Sequence, residues 1–256
     1  GAAPISADEG LGEIEELVHG FDFGQVTYEG RARRAKPRGE YVDYLLQQIE
    51  CKGLRPLRVV VNAGNGCAGL VIDALEPHLP FEFIKLNHEP DGNLPNGVPN
   101  PLLPENRETT SQAVVEHQAD MGIAWDGDFD RCFFFDEKGR FIEGYYIVGL
   151  LAASLISHHP GETVVYDPRL VWNTETIVKG FQGHAIMSRS GHSFIKAKMR
   201  EVNAIYGGEM SAHHYFRNFA YCDNGTLPWL LIAKLVGQGD RTLSAMLDTA
   251  IARFPA

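Results

Sequence analysis

The chain is poor in cysteine, in basic charge and in long apolar runs, and each shortage closes off a class of protein. Its four cysteines, Cys51, Cys67, Cys132 and Cys222, are scattered through 256 residues. None forms a Cys-x-x-Cys pair, which argues against a zinc ribbon or a thioredoxin-like motif, and a disulfide framework has little support in a chain this long. Buried free thiols in a reducing compartment are expected. Lysine and arginine number 23 against 33 acidic residues, a formal net charge of −10. A nucleic-acid binder usually shows a basic surplus or stripe, so nucleic acid is not an expected partner. A small anion is still compatible, because a few local cations outweigh a global deficit. The longest uncharged apolar run, YYIVGLLAASLIS at 145–157, is too short to span a bilayer as a helix. The opening GAAPISADEG lacks the basic region and apolar stretch of a signal peptide. These features predict a soluble, cytoplasmic protein without a membrane partner.

What is present is an ordinary globular composition, 44% apolar and 22% charged, arranged in alternating patterns. SADEGLGEIEELVHGF places Leu11, Ile14 and Leu17 at helical intervals behind a capping residue and an acidic first turn. The basic stretch GRARRAKPRGE, with Pro37 and Gly39 as breakers, reads as a solvated linker. From Tyr41 onward, strands such as LRVVVNAG, FEFIKLN and MGIAW alternate with helices, and RCFFFDEKGRFIEG reads as a hairpin turning at Glu137–Gly139. A second round begins with the buried helix YYIVGLLAASLI and ends in two helices. The fold class expected is α/β: successive three-layer α/β/α domains on mixed, mainly parallel sheets, with a boundary near Gly144. The Pro/Gly/Asn-rich stretch from His88 to Asn106 is a long loop, and such loops in compact domains are often functional.

Two motifs carry candidate chemistry. Gly64-Asn65-Gly66-Cys67-Ala68-Gly69 has the form G-x-G-x-x-G between a strand and a helix, the context of a dinucleotide site. About sixty residues precede it, however, and a tight strand-to-helix turn in which glycines permit close packing is the preferred reading. An NAD-dependent oxidoreductase stays as an alternative. The second motif is GIAWDGDFDRCFFF, where Asp126, Asp128 and Asp130 interrupt an apolar run. Like charges crowded in this way suit a hard divalent cation, Mg²⁺ or Ca²⁺, that removes their repulsion. The aspartates and Glu137 match EF-hand loop positions, but Arg131 replaces the turn glycine and the flanks read as strands. An aspartyl-phosphate enzyme, with Asp126 as nucleophile and Asp128 as acid/base, is a further alternative.

The segment MGIAWDGDFDRC resembles the metal-binding loop of the α-D-phosphohexomutase superfamily, usually DGDGDR, with Phe129 where glycine is commonest. Gly208-Glu209-Met210-Ser211-Ala212-His213 resembles its sugar-binding loop GEMSGH, with Ala212 in place of glycine. SRSGHSFIK is similar to its KTGHSFIK segment, NAGNGCAG to the opening of its second domain, and PDGNLPNGVPNPLLPEN to the loop approaching the metal. The nearest branch is bacterial phosphomannomutase/phosphoglucomutase. The resemblance implies a phosphohexomutase-like fold and interconversion of hexose 6-phosphate and 1-phosphate through a bisphosphorylated sugar and a phosphoserine. It implies Mg²⁺ on Asp126, Asp128 and Asp130, Arg131 on the transferring phosphoryl group, and His213 as acid/base. Glu209 and Ser211 are implied sugar-hydroxyl partners, His192 and Ser193 substrate contacts at a helix start, and Arg169 a phosphate ligand. Read without the resemblance, His213 and His214 are a polar loop pair, Ser193 a helix cap and Arg169 a surface charge.

The family's phosphoserine motif, TASHNP, is not among these residues; Ile156-Ser157-His158-His159-Pro160 is similar only superficially and closes a buried helix. The resemblance divides the chain into a first-domain tail with linker (1–39), a metal-binding second domain (40–143) and a sugar-binding third domain (144–256). It implies a core that lacks the phosphoryl donor and the family's C-terminal domain, and that is nearly inactive on its own.

Overall fold

A computed structural model describes residues 5, 10–21, 30–49 and 53–255. The capping Ser6 and Cys51 lie outside the described residues. Helix α1 (Gly12–Gly20) forms as its periodicity predicts, but none of its residues is buried, and Leu11, Ile14 and Leu17 lie on the surface. Pro37 and Gly39 do not break the chain before Tyr41. Helix α2 (Arg38–Ile49) begins three residues earlier, with the Tyr41 N–H already donating to the Pro37 carbonyl (2.9 Å). Proline is well placed there, since an N–H at a helix entry has no intrahelical partner to lose.

The rest folds around two five-stranded sheets. The first collects β1 (Arg58–Asn62), β2 (Glu82–Leu86), β3 (Met121–Trp125), β4 (Cys132–Asp136) and β5 (Phe141–Ile142) in the order β2-β1-β3-β4-β5. Strands β2, β1 and β3 run parallel, because helices α3 (Ala68–Leu75) and α4 (Glu108–Glu116) carry the chain back across the sheet. Strands β4 and β5 close antiparallel through tight reversals. β3 and β4 are buried along their whole length, which explains why MGIAW and CFFF read as continuous apolar runs.

The second sheet repeats the plan. β6 (Thr163–Tyr166), β7 (His184–Met187) and β8 (Tyr206–Gly208) are parallel, linked by α6 (Val171–Gly180) and α7 (His192–Glu201). Two short strands, β9 (His214–Phe216) and β10 (Cys222–Asp223), then add antiparallel, giving the order β10-β9-β8-β6-β7. One apolar cluster reaches from Leu45 of α2 and Val59 of the first sheet to Val164 and Tyr166 of the second, with α5 (Gly144–Ile156) and α8 (Leu227–Gln238) inside it. Smaller clusters fill the outer faces, under α4 on the first sheet and under α7 on the second. Helix α9 (Leu243–Arg253) follows, and its Ser244 donates backbone N–H and hydroxyl to Glu137. Glu137 is thereby turned away from the aspartates, which removes the EF-hand.

Among the described residues, the expectation of buried free thiols holds for Cys132 alone; Cys67 is exposed and Cys222 partly so. Cys67 lies within the glycine turn, as the N-cap residue of α3. Among the described residues, no helix is long and apolar enough to cross a membrane.

Candidate metal and sugar-binding site

Strand β3 ends at Trp125 and pairs there with Cys132, the first residue of β4. The six residues between must fold back on themselves. That reversal brings oxygens of Asp126, Asp128 and Asp130 within 4.8 Å of one another. Asp126 is buried, Asp128 exposed and Asp130 intermediate. Phe129 sits at φ +51°, in the left-handed region that suits the glycine usual at this place. Arg131 donates through Nε to Asp126 Oδ2 (2.7 Å) and through its backbone N–H to Oδ1 (3.2 Å). Burial raises the Asp126 carboxyl above its ordinary pKa, against the downward pull of Arg131. At Asp130 burial also pushes upward, but the hydrogen bond and charge of His213 outweigh it and the net direction is down. Convergent hard oxygens of this kind fit a divalent cation.

Two glycines hold the loop from either side. A Cβ on Gly66 would lie 2.5 Å from the Gly127 carbonyl, and one on Gly225 would lie 2.1 Å from the Phe129 carbonyl. Gly69 meets the His88 carbonyl in the same way, at 2.2 Å. The glycine turn thus serves close backbone packing, and the faces a dinucleotide would approach are filled by the chain itself. The long loop comes to the same place: Pro99 packs on Gly64 and reaches Gly127.

The sugar-loop candidates lie directly opposite. β8 and β9 are joined by a turn in which Ala212 takes φ +70° and the Glu209 N–H donates to the His213 carbonyl (3.0 Å). His213 and Arg131 form an isolated antiparallel bridge, so the two loops are tied backbone to backbone. His213 Nε2 lies 3.5 Å from Asp130 Oδ2, and its Nδ1 lies 3.1 Å from Ser211 Oγ and 3.6 Å from Glu209 Oε2. The His192 ring meets that of His213 edge-on at 4.1 Å. His214 is no member of a polar loop pair: it is fully buried in β9, with Nδ1 2.7 Å from Tyr206 Oη.

Glu209 is only 3% exposed. Its Oε1 accepts from the Gly191 N–H (2.7 Å) and its Oε2 from the Tyr215 hydroxyl (2.5 Å). Ser193 stands beside His192 in the first turn of α7, where Gly191 is the N-cap and no side chain caps the helix. Arg169 is more than half exposed, its guanidinium held by the buried Asp167 (Nη2–Oδ2, 2.6 Å). The same Oδ2 accepts from the Met210 N–H (2.8 Å), so Arg169 is fastened to the sugar-loop backbone.

Asp126, Asp128, Asp130, Arg131, His192, Glu209, Ser211 and His213 meet in this region; Arg169 joins it through Asp167, and Ser193 follows His192 in α7. Others escaped notice. Asp223 accepts from His192 Nδ1 and Lys196 Nζ, both at 2.8 Å. Asp223 raises the His192 pKa above its ordinary value, while those two partners hold the Asp223 carboxyl well below the usual range despite its burial. Lys196, four residues after His192 on α7, shares a helix face with it, a spacing visible in the sequence. Asp167, Tyr215 and Asp223 carry no comparable signal.

Two family profiles match the chain: phosphoglucomutase/phosphomannomutase α/β/α domain II over residues 39–139 and domain III over residues 143–254. Phosphohexose mutases of Xanthomonas campestris pv. campestris (strain ATCC 33913) are 57% identical over 99% of this chain and 57% of their own length. The phosphomannomutase of Escherichia coli (strain K12) is 55% identical over 100% of this chain and 58% of its own length. A crystal structure of a phosphoglucomutase/phosphomannomutase family protein from Burkholderia thailandensis superposes with a TM-score of 0.87 at 30% identity, covering 96% of this chain and 53% of that one. The chain therefore spans somewhat more than half the length of the relatives it matches.

Proposed function

Because the chain belongs to the phosphoglucomutase/phosphomannomutase family, we propose that it forms the metal- and sugar-binding core of a phosphomannomutase, with residues 40–143 as the metal-binding unit and 144–256 as the sugar-binding unit. One observation carries this reading: the aspartate loop and the Glu209 loop lie against each other, joined by the Arg131–His213 bridge, with His213 Nε2 3.5 Å from Asp130 Oδ2. Phosphoryl transfer asks mainly for positioning and for stabilisation of charge, and both sets of groups meet here. Mg²⁺ would be held by Asp126, Asp128 and Asp130, and when bound it supplies charge neutralisation at a phosphoryl group.

The remaining chemistry belongs to the chain. Arg131 presents a guanidinium at the edge of the aspartate loop, suited to paired contacts with phosphoryl oxygens. His213, whose ring nitrogens face Asp130 and Ser211, is the group placed to exchange a proton with a substrate hydroxyl. Glu209 and Ser211 orient sugar hydroxyls, His192 and Ser193 contact substrate at the start of α7, and Arg169 binds substrate phosphate. The donor is a phosphoserine supplied in the complete protein, and the substrate is mannose 6-phosphate or mannose 1-phosphate.

The test is Asp128→Asn in the complete protein. Asp128 is exposed and its side chain takes no part in the core, so the fold is expected to survive while mannose 1-phosphate turnover falls by about a hundredfold or more. Turnover at the wild-type level rejects the metal assignment. The ratio of kcat/KM for mannose and glucose phosphates then separates the phosphomannomutase reading from phosphoglucomutase.

A further inference from the structure

Tyr215 lies in β9, opposite Gly207 of β8, and is wholly buried. Its neighbours on that face are Val165, Ile195 and Met199. A phenylalanine would suit such company, because a buried hydroxyl costs free energy unless it finds a partner. Here the hydroxyl donates to Glu209 Oε2 at 2.5 Å, a charge-assisted bond sealed from water. The other carboxylate oxygen is held by the Gly191 N–H, where φ of +115° turns the chain into α7. Glu209 is therefore clamped between a strand and the start of a helix, with one lone pair on each oxygen already used.

The ring does a second task. It lies beneath His213, nearly parallel at 6.2 Å and 23°, and meets His192 edge-on at 6.1 Å, with the Lys196 ammonium 5.7 Å from its centroid. Glu209, His213, His192 and Lys196 thus all pack around one tyrosine that faces no solvent.

We propose that Tyr215 is the positioning residue of the sugar site, acting through Glu209 by fixing the direction in which that carboxylate meets sugar hydroxyls. The inference rests on the phosphomannomutase reading. It assigns Tyr215 no contact with substrate.

A double-mutant cycle in the complete protein tests it, since coupling between two residues in contact is what such a cycle isolates. Tyr215→Phe keeps the ring and removes the donor. It is expected to raise KM for mannose 6-phosphate roughly tenfold, with kcat changed less, because the bond lost is one to a charged group and serves ground-state binding. In a Glu209→Gln background the same change is expected to alter KM by less than about twofold. The cycle is read again in thermal melting, where the two changes should also be non-additive. Additive effects on KM overturn the proposal, whether or not melting shows coupling, because they leave Tyr215 a purely structural role. Failure of Tyr215→Phe to fold overturns it too, by making the hydroxyl a requirement of the fold. A wild-type protein that turns over no hexose phosphate, yet shows coupling in the melts, sinks the functional reading instead, so the two failures are told apart.

Discussion

Phe129 and Ala212 occupy the two places where the family's loops most often carry glycine, and both adopt positive φ, +51° and +70°. An L-residue in that region strains its Cβ against the neighbouring backbone at a cost on the order of 1 kcal/mol. The aspartate loop and the Glu209 loop therefore each hold one residue that the local backbone does not favour, and tertiary packing keeps both there. Ala212 is buried at the turn between β8 and β9, so Ala212→Gly keeps the turn and removes the conflict. Part of the gain is returned through the greater freedom of glycine in the unfolded chain. A net stabilisation of roughly 0.5–1 kcal/mol is expected, read as a higher denaturant midpoint at constant m-value. An unchanged or lower midpoint would mean that the alanine methyl packs better than the φ value suggests.

At the scale of elements, strand β9 sets a pH dependence. His214 is buried with one ring nitrogen near the Tyr206 hydroxyl and the other without a partner, and burial pushes its pKa down to about 3. The sign follows directly. Below the unfolded value of 6.5 the unfolded chain takes up a proton that the folded chain refuses, so folding stability falls as pH drops from about 6.5 toward about 3. One proton corresponds to a slope of about 1.4 kcal/mol per pH unit in that window. Comparing His214→Gln with the wild-type protein, by denaturant titration at several pH values, should show this slope only in the wild type; parallel profiles would contradict it.

The same strand shows where the sequence was legible and where it was not. The alternation of apolar runs with amphipathic stretches marks β1 to β8 and the helices around them, because burial on one face or two leaves a period behind. His214-Tyr215-Phe216 leaves none: it is three residues long, all three are buried, the polar His214 included, and Ala212 gives no hint of the turn before it. Asp126, Asp128 and Asp130 stand out because these three charges are neighbours in the chain as well as in space. Asp167, Tyr215 and Asp223 do not, because their partners Met210, Glu209 and His192 are separated from them in sequence and meet only once the second sheet has formed.

At the scale of the whole molecule, the two sheets are sewn together at the site itself. Trp125, the last residue before the metal loop, donates its indole N–H to the Gly225 carbonyl (2.8 Å) and meets Trp229 edge-on at 6.5 Å, and Trp229 meets Phe83 in the same way. The main core runs unbroken from one sheet to the other. Packing of this density transmits strain and does not yield smoothly. Spin labels at His78 and Gln182, exposed positions on either half, should give one narrow distance distribution that mannose 6-phosphate leaves in place. A second population on adding ligand would show that the halves swing.

The indole–carbonyl bond at Trp125 has a bearing on how a sugar with two reactive ends can be served. With the aspartate loop pinned to the segment leading into α8, the span between the three aspartates and Glu209 is a fixed gauge. On the phosphomannomutase reading we propose, a hexose bisphosphate could not draw that gauge wider to present its other terminus; the ligand would have to pivot, against a bed that stays still.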